Sequence, residues 1–130
     1  MAMDDNLLRR ALTDAETGLG NASYLRLELE STVERAERYR FPVSIITIRC
    51  TGEDVAGLAR TVAARVRRSD CLARSAPEEI SLVITHASRQ EAEEVVERLR
   101  GVCKERAAAG SADLHTFRDD DYRLLLERAS

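Results

Sequence analysis

The chain has no surplus of positive charge: 20 Lys and Arg stand against 23 Asp and Glu, a formal net charge of −3. A nucleic-acid or membrane-headgroup surface needs Lys and Arg in excess on one face, so neither is an expected partner, and any anionic ligand has to be held locally. Cysteine is scarce. Cys50, Cys71 and Cys103 are odd in number, far apart and set in apolar stretches, which excludes a disulfide framework or a Cys-x-x-Cys metal site and predicts buried free thiols. The two histidines, His86 and His115, have no further Cys, His or acid at ligand spacing and are expected half-buried in or at the ends of strands, so no metal or other cofactor is expected. No serine stands in a Gly-x-Ser-x-Gly context. No apolar run approaches membrane-spanning length, and the opening Met-Ala-Met-Asp-Asp lacks the basic and apolar regions of a signal peptide, so a cytoplasmic protein is expected. Repeats, low-complexity tracts and linkers are absent too. With 130 residues and 44% hydrophobic content, one domain with a real core is expected.

What is present is a succession of clear periodicities. Leu7, Leu8, Ala11 and Leu12 fall at helical spacing and predict a leader helix over residues 1–12, ahead of a domain over residues 13–130. Glycines and short polar residues make a turn at 13–22, after which Leu25, Leu29, Val33 and Ala36 give an amphipathic helix capped by Ser23 or Asn21. The stretch Phe-Pro-Val-Ser-Ile-Ile-Thr-Ile-Arg-Cys from Phe41 is almost continuously apolar and β-branched, as a central strand buried on both faces would be. Val55, Leu58, Ala59, Val62 and Val66 predict a second helix. A hairpin follows, its strands flanking an Ala-Pro-Glu-Glu turn. Ser88 with Glu91 three residues on opens a long helix that Gly110 closes, residues 112–117 read as a last strand, and residues 119–129 as a terminal helix with acids at its start. From Val43 the order is β-α-β-β-α-β. This predicts an α+β fold, the ferredoxin-like or cyclase-palm arrangement, with an antiparallel sheet and its helices packed on one face. The charged faces of residues 26–40 and 89–106 alternate in sign and read as solvated surfaces.

On that frame, the sequence resembles a GGDEF domain over roughly residues 10–129, the family whose active members make cyclic di-GMP from GTP. Thr-Asp-Ala-Glu-Thr-Gly-Leu-Gly-Asn-Ala is similar to the family's Asp-x-Leu-Thr-Gly-Leu-x-Asn-Arg opening, with Asp14, Thr17, Gly18, Leu19 and Asn21 in place and Glu16 and Ala22 departing from it. Residues 67–84 resemble the stretch that ends in Arg-Tyr-Gly-Gly-Asp-Glu-Phe and an apolar strand. The departures matter more. The resemblance puts Arg49 where the family has a metal-binding Asp, Ala76 and Pro77 where it has two glycines, and nothing where it has the segment that holds GTP. Glu78 and Glu79 match the family's acidic pair. A divalent ion about 4 Å from a guanidinium costs several kcal/mol at an effective dielectric near 20, so these acids are expected to be remnants, a solvated hairpin paired to Arg49. No diguanylate cyclase activity is expected.

Arg67 and Asp70 keep the Arg-x-x-Asp spacing of the family's inhibitory site, where the product binds. An Arg reads guanine N7 and O6 or a phosphate, and an Asp accepts from guanine N1 and N2, so the resemblance implies a cyclic di-GMP receptor, with Arg68 and Arg74 adding charge for the phosphates. A purely structural role for the pair is the competing expectation: a cation near a helix C-terminus and an Asp at a turn. The alternative function is a protein-interaction or dimerisation module that binds no nucleotide. A protein partner is expected, since no sensory segment precedes the leader in this sequence and input or output has to come from a partner chain or a small ligand; a homodimer through the apolar strip of Leu7, Leu8, Ala11 and Leu12 is expected because the family commonly works as dimers, the competing expectation being that the strip packs on its own domain.

Overall fold

A computed structural model describes residues 5–51, 55–67, 70–106 and 111–118; the side chains of 5, 50, 51, 104–106 and 111–118 lie outside the description. Arg68, Gly110 and the expected terminal helix also lie outside it.

The elements are α1 (Asp5–Leu12), α2 (Ala22–Tyr39), β1 (Val43–Thr51), α3 (Val55–Ala63), β2 (Cys71–Ala76), β3 (Glu79–Thr85), α4 (Arg89–Arg106) and β4 (Ser111–Arg118). The four strands form one sheet in the order β2-β3-β1-β4, every neighbouring pair antiparallel. Each crossover helix therefore spans an intervening strand, α3 carrying the chain from β1 over β3 to β2 and α4 from β3 over β1 to β4. The expected β-α-β-β-α-β order stands.

The expectation of helices on one face does not. Side chains alternate across a strand, and β1 is apolar at both parities. Ile46 and Ile48 join Ile80, Leu82 and Ile84 of β3 beneath α3 and α4, where Leu58, Val62, Leu99 and Val102 meet them. Val43 and Ile45 turn the other way, with Ala73 and Val83, against Leu25, Leu29, Val33 and Ala36 of α2. A strand that is hydrophobic on both sides has to be covered on both.

The helix ends follow their local chemistry. Of the two candidate caps for α2, Asn21 does the work: its side-chain oxygen accepts from the Tyr24 N–H at 3.0 Å, and Arg40 ends the helix in the left-handed region at φ 59°. Ser88 and Glu91 form the expected reciprocal cap, each accepting from the other's N–H at 3.1 Å. These bonds hold the Glu91 carboxyl below its ordinary range, and the Arg67 guanidinium adds to the effect. Helix α3 stops at Ala63, and Val66, expected within it, packs on the core from the loop beyond. Cys71 and Cys103 are free thiols, half-buried and buried respectively. His86 stands at the end of β3 at φ 59° and stacks on Phe41 with ring centroids 4.0 Å apart. Among the described residues, no helix is long and apolar enough to cross a membrane.

Candidate functional site

The hairpin joining β2 to β3 turns through Pro77 and Glu78. Two-residue hairpin loops ordinarily need a positive φ, which proline's ring forbids and Glu78 does not adopt. The strands compensate with a register shift between Arg74 and Ala76, leaving Ala76 opposite Glu79. Ala76, Pro77 and Glu78 are exposed, whereas Glu79 faces inward over the α2 side of the sheet.

Glu79 is not free to hold anything else. Directly across the ladder stands Arg49, whose guanidinium lies 3.5 Å from Glu79 Oε2. Its other oxygen accepts from the Ser75 hydroxyl at 2.7 Å. Ser75 has one proton and has given it to the carboxylate, so at 2.7 Å it accepts from the Ser81 hydroxyl, and Ser81 in turn accepts from Thr47 at 3.3 Å. A chain of hydroxyls thus crosses β1, β3 and β2 with one direction of donation. The set does not fit a divalent cation: the position opposite Glu79 is a cation already, and Glu78 sits in the exposed turn.

Arg74 leads elsewhere. Its guanidinium donates to both Asp14 oxygens at 3.2 and 3.3 Å, reaches Glu16 at 3.4 Å, and donates to the Pro77 carbonyl at 2.6 Å. Asp14 also accepts from the Thr17 N–H and hydroxyl at 2.9 and 2.7 Å. Burial pushes the Asp14 carboxyl up, but the Thr17 bonds and Arg74 outweigh it and hold the group below its ordinary value. Gly18 takes φ +74° in this turn, and Asn21, besides capping α2, donates to the Ala11 carbonyl at 2.8 Å. The Asp14, Thr17, Gly18 and Asn21 matches are therefore the parts of one turn, latched to the hairpin by Arg74. The structure does not bring Arg74 to the Arg67 site.

Arg67 and Asp70 do come together. Asp70 accepts from the Arg67 N–H at 3.0 Å and from its guanidinium at 3.3 Å, while the Asp70 N–H donates to the Arg67 carbonyl at 3.0 Å. The guanidinium also donates to the Thr85 carbonyl at 3.3 Å. The Asp70 side chain is 4% exposed and that of Arg67 54%, so the acid forms the floor and the cation the rim. Beside them is a pocket of about 160 Å³, the size of one purine ring system rather than of a whole dinucleotide, lined also by Arg65, Glu91, Glu94 and Arg98. Arg98 points into this neighbourhood from α4, donating to the Arg65 carbonyl at 3.1 Å. Sequence reasoning missed it, because its helix face alternates in charge and reads as solvated; the signal is the packing of α4 beside α3 and the loop after it that a β-α-β-β-α-β order imposes.

No family model matches the chain, and no curated protein matches it in sequence. Solved structures do match. The diguanylate cyclase SiaD of Pseudomonas aeruginosa, solved in complex with its activator SiaC, superposes with a TM-score of 0.80 at 22% identity, over 95% of this chain and 57% of that one. The GGDEF domain of FimX from the same organism gives 0.78 at 17% identity over 91% and 88% of the two chains. The GGDEF domain of DgcB from Caulobacter crescentus, solved in complex with cyclic di-GMP, gives 0.78 at 16% identity over 99% and 86%. This chain thus spans little more than half of SiaD and most of the two isolated domains. At these identities, the likeness speaks to architecture, and it does so over nearly the whole chain: the protein has the fold of a GGDEF domain.

Proposed function

We propose that this is a non-catalytic GGDEF-like signalling domain that binds cyclic di-GMP through Arg67 and Asp70. The observation that carries the reading is the convergence of Arg67, Asp70 and Arg98 on one guanine-sized pocket. Asp70 supplies an acceptor for guanine N1 and N2, and the two guanidiniums supply donors for N7, O6 and a phosphate. Binding exchanges the internal Arg67–Asp70 pair for pairs with the ligand, so the acid stays on the floor while the exposed Arg67 side chain swings. Arg68, adjacent to Arg67 in sequence, adds charge for the second phosphate. Loss of catalysis is supported by Arg49, whose charge sits against Glu79, and by Ala76 and Pro77, which place side chains and a missing N–H donor where a backbone cradle for phosphate would be. Titration calorimetry tests the reading: cyclic di-GMP gives heat with wild type, while GTP and cyclic AMP give none. Silence at high micromolar cyclic di-GMP removes it.

A second reading, an interaction or dimerisation module that binds no nucleotide, is favoured by Leu7 and Leu8, which stand 58% and 44% exposed on α1. The calorimetric result separates the two.

A further inference from the structure

The pocket beside Arg67 and Asp70 has room for one purine ring system, and cyclic di-GMP carries two. Both bases leave a single ring of sugars and phosphates, so a ligand seated by one guanine brings the other to rest on protein close to the pocket mouth. The two sides of that mouth differ. Toward α4 stand Glu91 and Glu94, whose carboxylates repel phosphates drawn past them. Toward the end of the sheet, the Arg67 guanidinium reaches the Thr85 carbonyl at 3.3 Å, and the chain runs on through His86 to Ala87, itself part of the pocket wall. His86 is thus bonded on one side to the residue that holds Arg67 and on the other to the pocket.

The His86 N–H donates to the Pro42 carbonyl at 3.0 Å, and a φ of 59° then turns the chain out of β3. A residue other than glycine in the left-handed region is strained, tolerated best by Asn, Asp and His, and kept where its surroundings hold it. What holds this one is Phe41. The two rings stack with centroids 4.0 Å apart and planes 25° from parallel, and Phe41 packs in turn on the core beneath α2. His86 is exposed all the same, so the ring face turned away from Phe41 is open to solvent. The two segments that meet here, residues 38–44 and 83–89, contain no acid, and Arg40 and Arg89 within them are exposed.

We propose that His86, backed by Phe41, is a stacking platform for the second base of cyclic di-GMP, the first lying in the Arg67–Asp70 pocket, a step that rests on the proposed binding at that pocket. The two places then do different work. The pocket reads guanine by hydrogen bonds, whereas the platform offers only a π-face, and every base has one. The class of ligand is therefore a cyclic dinucleotide in which one base is guanine and the other is any purine.

Cyclic di-GMP, 3′,5′-linked cyclic GMP–AMP and cyclic di-AMP, titrated into the full chain, test this. Cyclic GMP–AMP is expected to bind within a few-fold of cyclic di-GMP, and cyclic di-AMP about tenfold more weakly or worse. Saturation with cyclic di-GMP is expected to move the His86 ring-proton resonances upfield, as a base stacked on the ring does. His86→Asn keeps a residue that suits the left-handed backbone but removes the ring, and it weakens both guanine-containing ligands about tenfold; His86→Tyr recovers most of that loss. The resonance shift and the ligand comparison use wild type, so they decide the matter even if His86→Asn does not fold. No binding of cyclic di-GMP to wild type removes the receptor function and the platform together. Binding with the His86 ring protons unmoved, unchanged affinity in His86→Asn, or cyclic GMP–AMP as weak as cyclic di-AMP overturns the platform alone.

Discussion

Arg67 and Arg74 carry the same side chain on one short stretch, yet they answer to different chemistry. Arg74 is 16% exposed and closed on both sides by Asp14 and the Pro77 carbonyl, so its role is to fasten the turn before α2 to the hairpin. Arg74→Met is expected to destabilise the fold by about 1–3 kcal/mol, since it strands a half-buried carboxylate, and to leave cyclic di-GMP affinity unchanged. Arg98→Ala is expected to do the reverse, weakening binding by about one to two orders of magnitude with little change in thermal midpoint, whereas Arg67→Ala is expected to weaken binding as much and also to lower stability, because it takes the guanidinium from the Asp70 carboxylate, 4% exposed. Calorimetry and thermal melts on the three variants check the split; a loss of binding in Arg74→Met with no loss of stability contradicts it. The latch also has a pH signature. Because the folded pKa of Asp14 is held below the ordinary 3.8, its stabilising effect is complete above that value and disappears as pH falls through the folded one. Denaturant midpoints of wild type are therefore expected to drop more steeply in acid than those of Asp14→Asn.

At the scale of elements, the two-sided core has a measurable consequence. Leu29 on α2 and Leu99 on α4 are both fully buried, against opposite faces of the sheet. If α2 were a peripheral addition, its leucine would be the cheaper to lose. Leu29→Ala and Leu99→Ala are instead expected to cost similar amounts, about 2–5 kcal/mol each, in chemical denaturation. The sequence made most of this legible. Periodicity located every described helix and strand, because each buries an apolar stripe that repeats at its own spacing, and β1 announced its two-sided burial through consecutive β-branched residues. The covering of the second face went unread because a strand order does not say which side a preceding helix takes. The site divides the same way. Arg67 and Asp70 are local in sequence and visible as a spacing, and the pairing of Glu79 with Arg49 followed from the position the resemblance gave Arg49 together with its charge. Arg98 enters from another helix, and Arg74 leaves for a partner 60 residues away, which no spacing reveals.

For the molecule as a whole, two expectations follow. Incubated with GTP and Mg²⁺, the protein is expected to form no cyclic di-GMP, and on the proposed reading Arg49→Asp alone does not confer activity, because Ala76 and Pro77 would still stand where the resemblance places two glycines. Product formation that disappears in Glu78→Gln contradicts this. The second concerns assembly. Helix α1 turns Leu8 and Leu12 toward the groove above β2 but leaves Leu7 58% exposed and Leu8 only partly covered, on a helix short enough to depend on packing for its stability. A second α1 laid against the first covers both leucines, and no described residue of α1 lines the Arg67 pocket, so self-association and cyclic di-GMP binding are expected to be independent. Sedimentation should show a concentration-dependent dimer. Leu7→Glu tests it more cleanly than a change at Leu8, since Leu8 also lines the groove, and this variant is expected to be monomeric with its melting temperature and cyclic di-GMP heat unchanged. A wild-type monomer at high concentration, or a dimer that survives Leu7→Glu, rules out this route.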